Sequence, residues 1–124
     1  MKSVRANSNV SRLRVGAFQM RFGKTMNENL EKILEAISKA RRRKLDVVLF
    51  PEAATTGYAT DFRMVSSDAI RMALKRVGES AKKHRLNVLI GSPVFRGKKL
   101  FNCLGCVRKV EKDKVWACTI FARL

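Results

Sequence analysis

The chain has little that would suit it to membranes, secretion or metal binding. No run approaches the roughly eighteen uncharged apolar residues that a membrane-spanning helix needs. The first eleven residues are polar and lack the apolar core of a secretory signal. They carry Lys2 and Arg5 without an acid, weakly like a transit peptide, and are expected to form a disordered basic leader (1–11). There are only three cysteines, Cys103, Cys106 and Cys118, an odd set that argues against a disulfide framework. Cys103 and Cys106 form a C-x-x-C, yet a zinc site would need two more ligands, and the single histidine, His84, falls in another predicted element. Three residues apart on a strand, the two thiols would point to opposite faces. No metal and no cofactor are expected. Only two prolines are present, Pro51 and Pro93, and each follows an apolar run of strand character.

Acid is scarce as well: 10 Asp and Glu stand against 27 Lys and Arg, a formal charge of +17. Such an excess favours polyanions. Even so, zinc-finger spacing, an RNA-binding aromatic signature and a glycine-rich phosphate loop are all missing, and the cations are spread along the sequence. The densest run, Lys39 to Lys44, closes a predicted helix, where cations complement the helix dipole. Specific nucleic-acid binding is therefore not expected. A small basic α/β module that binds nucleic acid non-specifically is the alternative reading of the chain.

The apolar content of 46% is ordinary for one globular domain. Leu13–Met20 reads as a first strand. A helix is predicted from about Asn27 to Arg42, with Leu30, Ile33, Leu34, Ile37 and Ala40 on one buried face. Val47–Phe50 reads as a second strand, and a second helix runs from about Ser67 to His84, capped by Ser66 or Ser67. Asn87–Gly91 is a third strand, closed by Ser92-Pro93. Val94–Arg96, Leu100–Val110 and Val115–Ile120 then read as antiparallel strands, with turns at Gly97-Lys98-Lys99 and around Lys112-Asp113-Lys114. The order β-α-β-α-β followed by hairpins implies a layered α/β sheet with crossover connections.

One segment carries chemistry. In Asp46-Val47-Val48-Leu49-Phe50-Pro51-Glu52 a buried strand ends at a proline and a carboxylate follows immediately. Open α/β sheets place their ligands at the carboxyl ends of strands. Phe50-Pro51-Glu52 with Thr56-Gly57-Tyr58 resembles the catalytic-glutamate motif of the nitrilase, or carbon-nitrogen hydrolase, superfamily. Val15-Gly16-Ala17-Phe18-Gln19-Met20, Asn29-Leu30, Ile90-Gly91-Ser92 and Phe101-Asn102 resemble other segments of that family, in its order and spacing.

The resemblance implies a partial α-β-β-α (nitrilase-like) sandwich: a layered mixed sheet flanked by two helices on one face, with 12–124 a truncated carbon-nitrogen hydrolase domain. It implies hydrolysis of a non-peptide C–N bond in a small amide or nitrile by a Glu-Lys-Cys triad. Glu52 would be the general base, favoured by a partly buried strand end, and Tyr58 a substrate contact or scaffold. Members of that family usually assemble, so a homo-oligomer is one expectation. Without a long apolar run no membrane partner is expected, and the location expected is cytoplasmic.

The sequence departs from the family towards its end. Asp113-Lys114-Val115 stands where Gly-Lys-Val is usual, Phe121 takes the lysine's place, and Arg123 lies two positions on. Cys103, Cys106 and Cys118 all precede the position expected for the nucleophile. The expectation is therefore an N-terminal half, truncated or frame-shifted near Val115 and inactive alone, or else a non-catalytic partner of a full-length relative.

Overall fold

The computed structural model describes residues 12–58, 61 and 64–107, together with the backbone of 117–123. Five strands and two helices follow in the order β1 (Val15–Ala17), α1 (Met26–Arg42), β2 (Val47–Leu49), α2 (Ser67–His84), β3 (Asn87–Arg96), β4 (Lys99–Val107) and β5 (Ala117–Arg123). They form a single sheet in sequence order. β1, β2 and β3 are parallel, whereas β3–β4 and β4–β5 are antiparallel. The layered α/β architecture expected from the element order is the one observed.

Both helices pack on one face of the sheet. Ile33, Ile37 and Ala40 of α1 and Ile70, Val77 and Ala81 of α2 share a core with Val48, Val88, Ile90 and Val107. Side chains alternate along a strand, so Val47, Leu49, Leu89, Leu104 and Cys106 project from the opposite face. That face is only partly covered: Leu49 is 37% exposed.

The caps account for the helix limits. Thr25 Oγ1 accepts from Glu28 N at 3.1 Å, and Ser66 Oγ accepts from Ala69 N at 3.4 Å. Both helices end in the same turn. Lys44 (φ 58°) and Arg85 (φ 51°) are left-handed, and the next residue, a leucine each time, donates five residues back: Leu45 N to Ala40 O and Leu86 N to Ala81 O, both at 3.0 Å. Glycine is the ordinary residue at such a helix end, because a Cβ costs about 1–2 kcal/mol in that conformation. Arg85→Gly is therefore expected to raise the unfolding free energy by about 1 kcal/mol, readable as a shifted midpoint in urea.

Three sequence readings need correction. The first strand covers only Val15–Ala17 rather than Leu13–Met20, because it is an edge strand with a partner only in β2. The second ends at Leu49, although Phe50 N still donates to Leu89 O at 2.8 Å. The third does not stop at Ser92-Pro93 but runs unbroken to Arg96. β2 leaves β3 at Leu89, so Pro93 stands where β3 has a strand neighbour on one side only, the setting in which a strand tolerates proline. The end of the predicted Leu100–Val110 strand, the turn around Lys112-Asp113-Lys114, and Val115 lie outside the described residues, as does the leader.

Candidate active site

The segment after β2 crosses the end of that strand: Glu52 lies over Gly91 on the helix-free face, and Ala54 then joins the core on the helix side. Pro51 ends the strand, and Ala53 takes a left-handed φ of 51°, so the chain reverses immediately after Glu52. Gly57 N closes the turn on Ala53 O at 2.7 Å, and Ala54 N donates to Gly91 O at 2.9 Å. Gly91 lets this loop lie directly on β3. A Cβ there would fall 2.5 Å from Glu52 Cα and 2.6 Å from Pro51 O.

The loop is also tied from below. Asn29, in the first turn of α1, is fully buried. Its Oδ1 accepts from Gly23 N at 2.7 Å, and its Nδ2 donates to Thr55 O at 3.4 Å. Buried Thr55 and Ser92 share a hydroxyl hydrogen bond of 2.7 Å, which links the loop to β3 a second time. Each polar side chain buried beneath the loop thus has a partner, as burial away from water requires.

What this scaffold presents is the Glu52 carboxylate. Tyr58 Oη donates to Glu52 Oε2 at 2.6 Å, and Asn102 Nδ2, from the middle of β4, donates to Glu52 Oε1. Tyr58 is set by an edge-to-face contact with Phe22, with ring centroids 5.7 Å apart. Leu49, Phe50, Pro51, Glu52, Gly91, Asn102, Cys103 and Leu104 line a cleft of about 510 Å³, large enough for a small organic molecule. Glu52 is itself exposed, rather than partly buried as a strand-end position suggests.

Its neighbour registers the charge. The hydrogen bond to Glu52, with smaller contributions from desolvation and from the carboxylate's charge, holds the Tyr58 phenol above its ordinary pKa of 10.0. Tyr58 is the single tyrosine of the chain, so its ultraviolet titration reports on this contact alone. Glu52→Ala is expected to lower that midpoint towards the ordinary value. The sign for stability follows: the bond is fully present below about pH 10 and is lost as pH rises through the folded-state pKa.

Glu52 and Tyr58, the two residues singled out from the sequence, are thus brought together. Asn102 and Gly91 complete the site; in the sequence they stand out only as parts of resembling segments. Asn102 lies 50 residues from Glu52, and no local pattern announces a contact at that range.

The cysteines do not converge. Cys103 is buried and Cys106 half-buried, neither in a disulfide, and they project from opposite faces of β4. Cys103 faces α2, in the wall of a separate apolar cavity of about 250 Å³ bounded by Ile70, Leu74, Ile90 and Phe95. Cys106 shares the Glu52 face but stands four positions from Asn102, about 13 Å along a strand. Cys118 is paired in register with Gly105. Among the described residues no cluster of His, Cys, Asp or Glu could hold a metal ion, and no helix is long and apolar enough to cross a membrane.

The position expected for the lysine, Phe121, falls at the register shift of β5, between Ile120 opposite Cys103 and Ala122 opposite Asn102. The backbone there runs beside the residue that holds Glu52, but it carries a phenylalanine. Arg123 is paired with Phe101.

With this geometry in place, the comparisons with known proteins agree. The family described as Carbon-nitrogen hydrolase matches residues 14–113. The chain belongs to the carbon-nitrogen hydrolase family. An amidase from Nesterenkonia sp. superposes with a TM-score of 0.70 at 18% identity, covering 78% of this chain and 38% of that one. A variant of the amidase from Nesterenkonia sp. AN1 in complex with butyramide gives 0.71 at 19% identity, covering 78% and 39%. A glutamine-dependent NAD(+) synthetase from Cytophaga hutchinsonii gives 0.64 at 24% identity, covering 80% and 17%. These likenesses concern the fold, the partial nitrilase-like layer expected from the sequence. The carbon-nitrogen hydrolase chain spans less than half the length of each. No curated protein sequence matches it.

Proposed function

We propose that Glu52 is the general base for hydrolysis of a small amide or nitrile, and that residues 1–124 provide this base without its nucleophile. The observation that carries the reading is the Glu52 carboxylate itself, presented at the carboxyl end of parallel β2 into an open cleft and oriented by Tyr58 and Asn102. Two donors fix the orientation of the carboxylate, and a general base must be held in position relative to the proton it takes.

In this chemistry the carboxylate takes the proton of a cysteine thiol, and the thiolate attacks the amide or nitrile carbon. In an amide the C–N bond then breaks, the amine leaves with a proton, and water releases the acid from the thioester. In a nitrile, water adds to the thioimidate first. A lysine would stabilise the charge that develops at the tetrahedral stage. Tyr58 and Asn102 keep the carboxylate in position while it holds the proton.

Cys103 projects from the α2 side of β4 and Cys106 stands about 13 Å along the strand from Asn102, so this reading takes the thiol and the lysine from outside the described residues. The partly exposed Val47, Leu49, Leu89 and Leu104 support a second layer over the Glu52 face, contributed by further chain or by an oligomeric partner.

Two measurements test the reading. Chemical shifts of the Asn102 side-chain amide and of Gly91 should move on titration with acetamide or butyramide, and residues of the α2 cavity should not. Shifts confined to that cavity would remove the Glu52 cleft as the substrate site. The chain alone should release no ammonia from short amides or nitriles. Turnover that disappears in Cys103→Ala would show that the nucleophile lies within it.

A further inference from the structure

The structure assigns to the end of the domain opposite Glu52 a binding groove for the phosphodiester backbone of double-helical nucleic acid. The groove is lined by Arg41, Arg42, Lys44, Leu45, Asp46 and Arg85, drawn from the two helix-to-strand turns. In sequence the two turns lie about forty residues apart; parallel β2 and β3 bring them side by side.

Three observations point to an anionic chain rather than to a solvated surface. First, the acids nearby are already engaged. The lone carboxylate of the groove, Asp46, accepts from Arg14 N at 2.8 Å through Oδ2, and Glu35, higher on α1, pairs with Lys39 at 2.8 Å. Arg41, Lys44 and Arg85 form no ion pair among the described residues.

Second, Lys44 and Arg85 occupy the left-handed positions that end α1 and α2. Complementing a helix dipole needs cations in the last turn, and Lys39, Arg41 and Arg42 in α1 and Lys82 and Lys83 in α2 already supply them. It does not need a side chain where glycine is favoured. Two cations held in that conformation, both lining one groove, are strain placed at a site.

Third, the lining selects the ligand. Three of its four cations are arginines, whose planar forks match phosphate oxygens bidentately. Leu45 is its one apolar residue, too little to insert into a lipid surface. No aromatic residue lines it on which an unpaired base could stack. The chemistry left is contact with duplex phosphates, without base readout.

The test is fluorescence anisotropy of a labelled 20-base-pair mixed-sequence DNA duplex with the full chain, repeated across a salt series. Each phosphate that is no longer neutralised flattens the log–log salt slope by about 0.9, so Lys44→Gly with Arg85→Gly should weaken binding and flatten the slope by about 1.8. The same double variant should melt at a higher temperature, because two left-handed side chains are removed. Misfolding therefore cannot mimic the expected result.

Lys98→Ala with Lys99→Ala removes equal charge from the β3–β4 turn and should leave the slope nearly unchanged. Equal effects in the two double variants would show diffuse attraction by net charge and overturn the assignment, as would an absence of duplex binding. Binding to phosphatidylserine vesicles that depends on Lys44 and Arg85, with duplex binding indifferent to them, would overturn it in favour of a membrane.

Discussion

Replacing Gly91 with alanine is expected to dislodge the glutamate while leaving most of the sheet intact. The added methyl would lie 2.5 Å from Glu52 Cα and 2.6 Å from Pro51 O. Both are backbone atoms of a loop tied at either end, at Phe50 N and at Ala54 N, so they cannot yield as the tip of a flexible side chain would. Overpacking of this kind costs about 1–3 kcal/mol. It should appear as a lower urea midpoint. The Tyr58 titration should also move towards its ordinary value, because displacing the Glu52 backbone breaks the hydrogen bond that raises it. Gly97→Ala is the comparator. Gly97 has a φ of 60°, and a methyl added to it would meet nothing within 4 Å, so its replacement strains a turn and should leave the Tyr58 titration alone. If Gly91→Ala leaves both the midpoint and the Tyr58 titration unchanged, the loop is not seated on β3.

Asn29→Leu should be comparably costly for a different reason. The leucine is close in volume but has no polar atom, so Gly23 N and Thr55 O are left beneath the loop without their partner. A buried donor or acceptor stripped of its partner costs about 1–3 kcal/mol, and the pair brings the expected loss to roughly 3 kcal/mol. Asn29→Asp separates hydrogen bonding from shape. A protonated carboxyl can still accept from Gly23 N and donate to Thr55 O, whereas the carboxylate would face a carbonyl in a fully buried site. Burial raises the pKa of such a carboxyl. The contribution of Asn29→Asp to stability should therefore be present below about pH 4 and be lost as pH rises through the folded-state value. Urea melts at pH 4 and pH 7 measure this directly. A variant equally stable at both would mean that position 29 is open to water.

Much of the fold was legible because it is periodic. The apolar stripes of α1 and α2, the serine and threonine caps and the β-branched runs of β2 and β3 are local patterns, and both helices and β2 follow them to within a residue or two. β1 and β3 depart from their local pattern, because neighbouring strands outweigh it. Leu13 and Phe18–Met20 have strand character but no ladder continuing beside them, and Pro93 is harmless because β2 has already ended.

The site divides in the same way. Glu52 and Tyr58 lie six residues apart in one recognisable loop, so sequence alone located them. Asn102, which donates to the same carboxylate, and Gly91, which leaves room for its backbone, belong to other strands. Only sheet register brings them near.

Charge shows the division most clearly. Along the sequence the cations look dispersed, and Lys39–Lys44 reads as an ordinary helix ending. The parallel crossovers set Lys44 and Arg85 in equivalent turns, side by side. Sequence alone determined the family, the helices and the loop that carries Glu52, because each is written in local segments that can be read one at a time. Tertiary structure decided what supports that carboxylate, which way the cysteines face and where the positive charge collects. Those depend on residues tens of positions apart, and only the pairing of strands brings them within reach of one another.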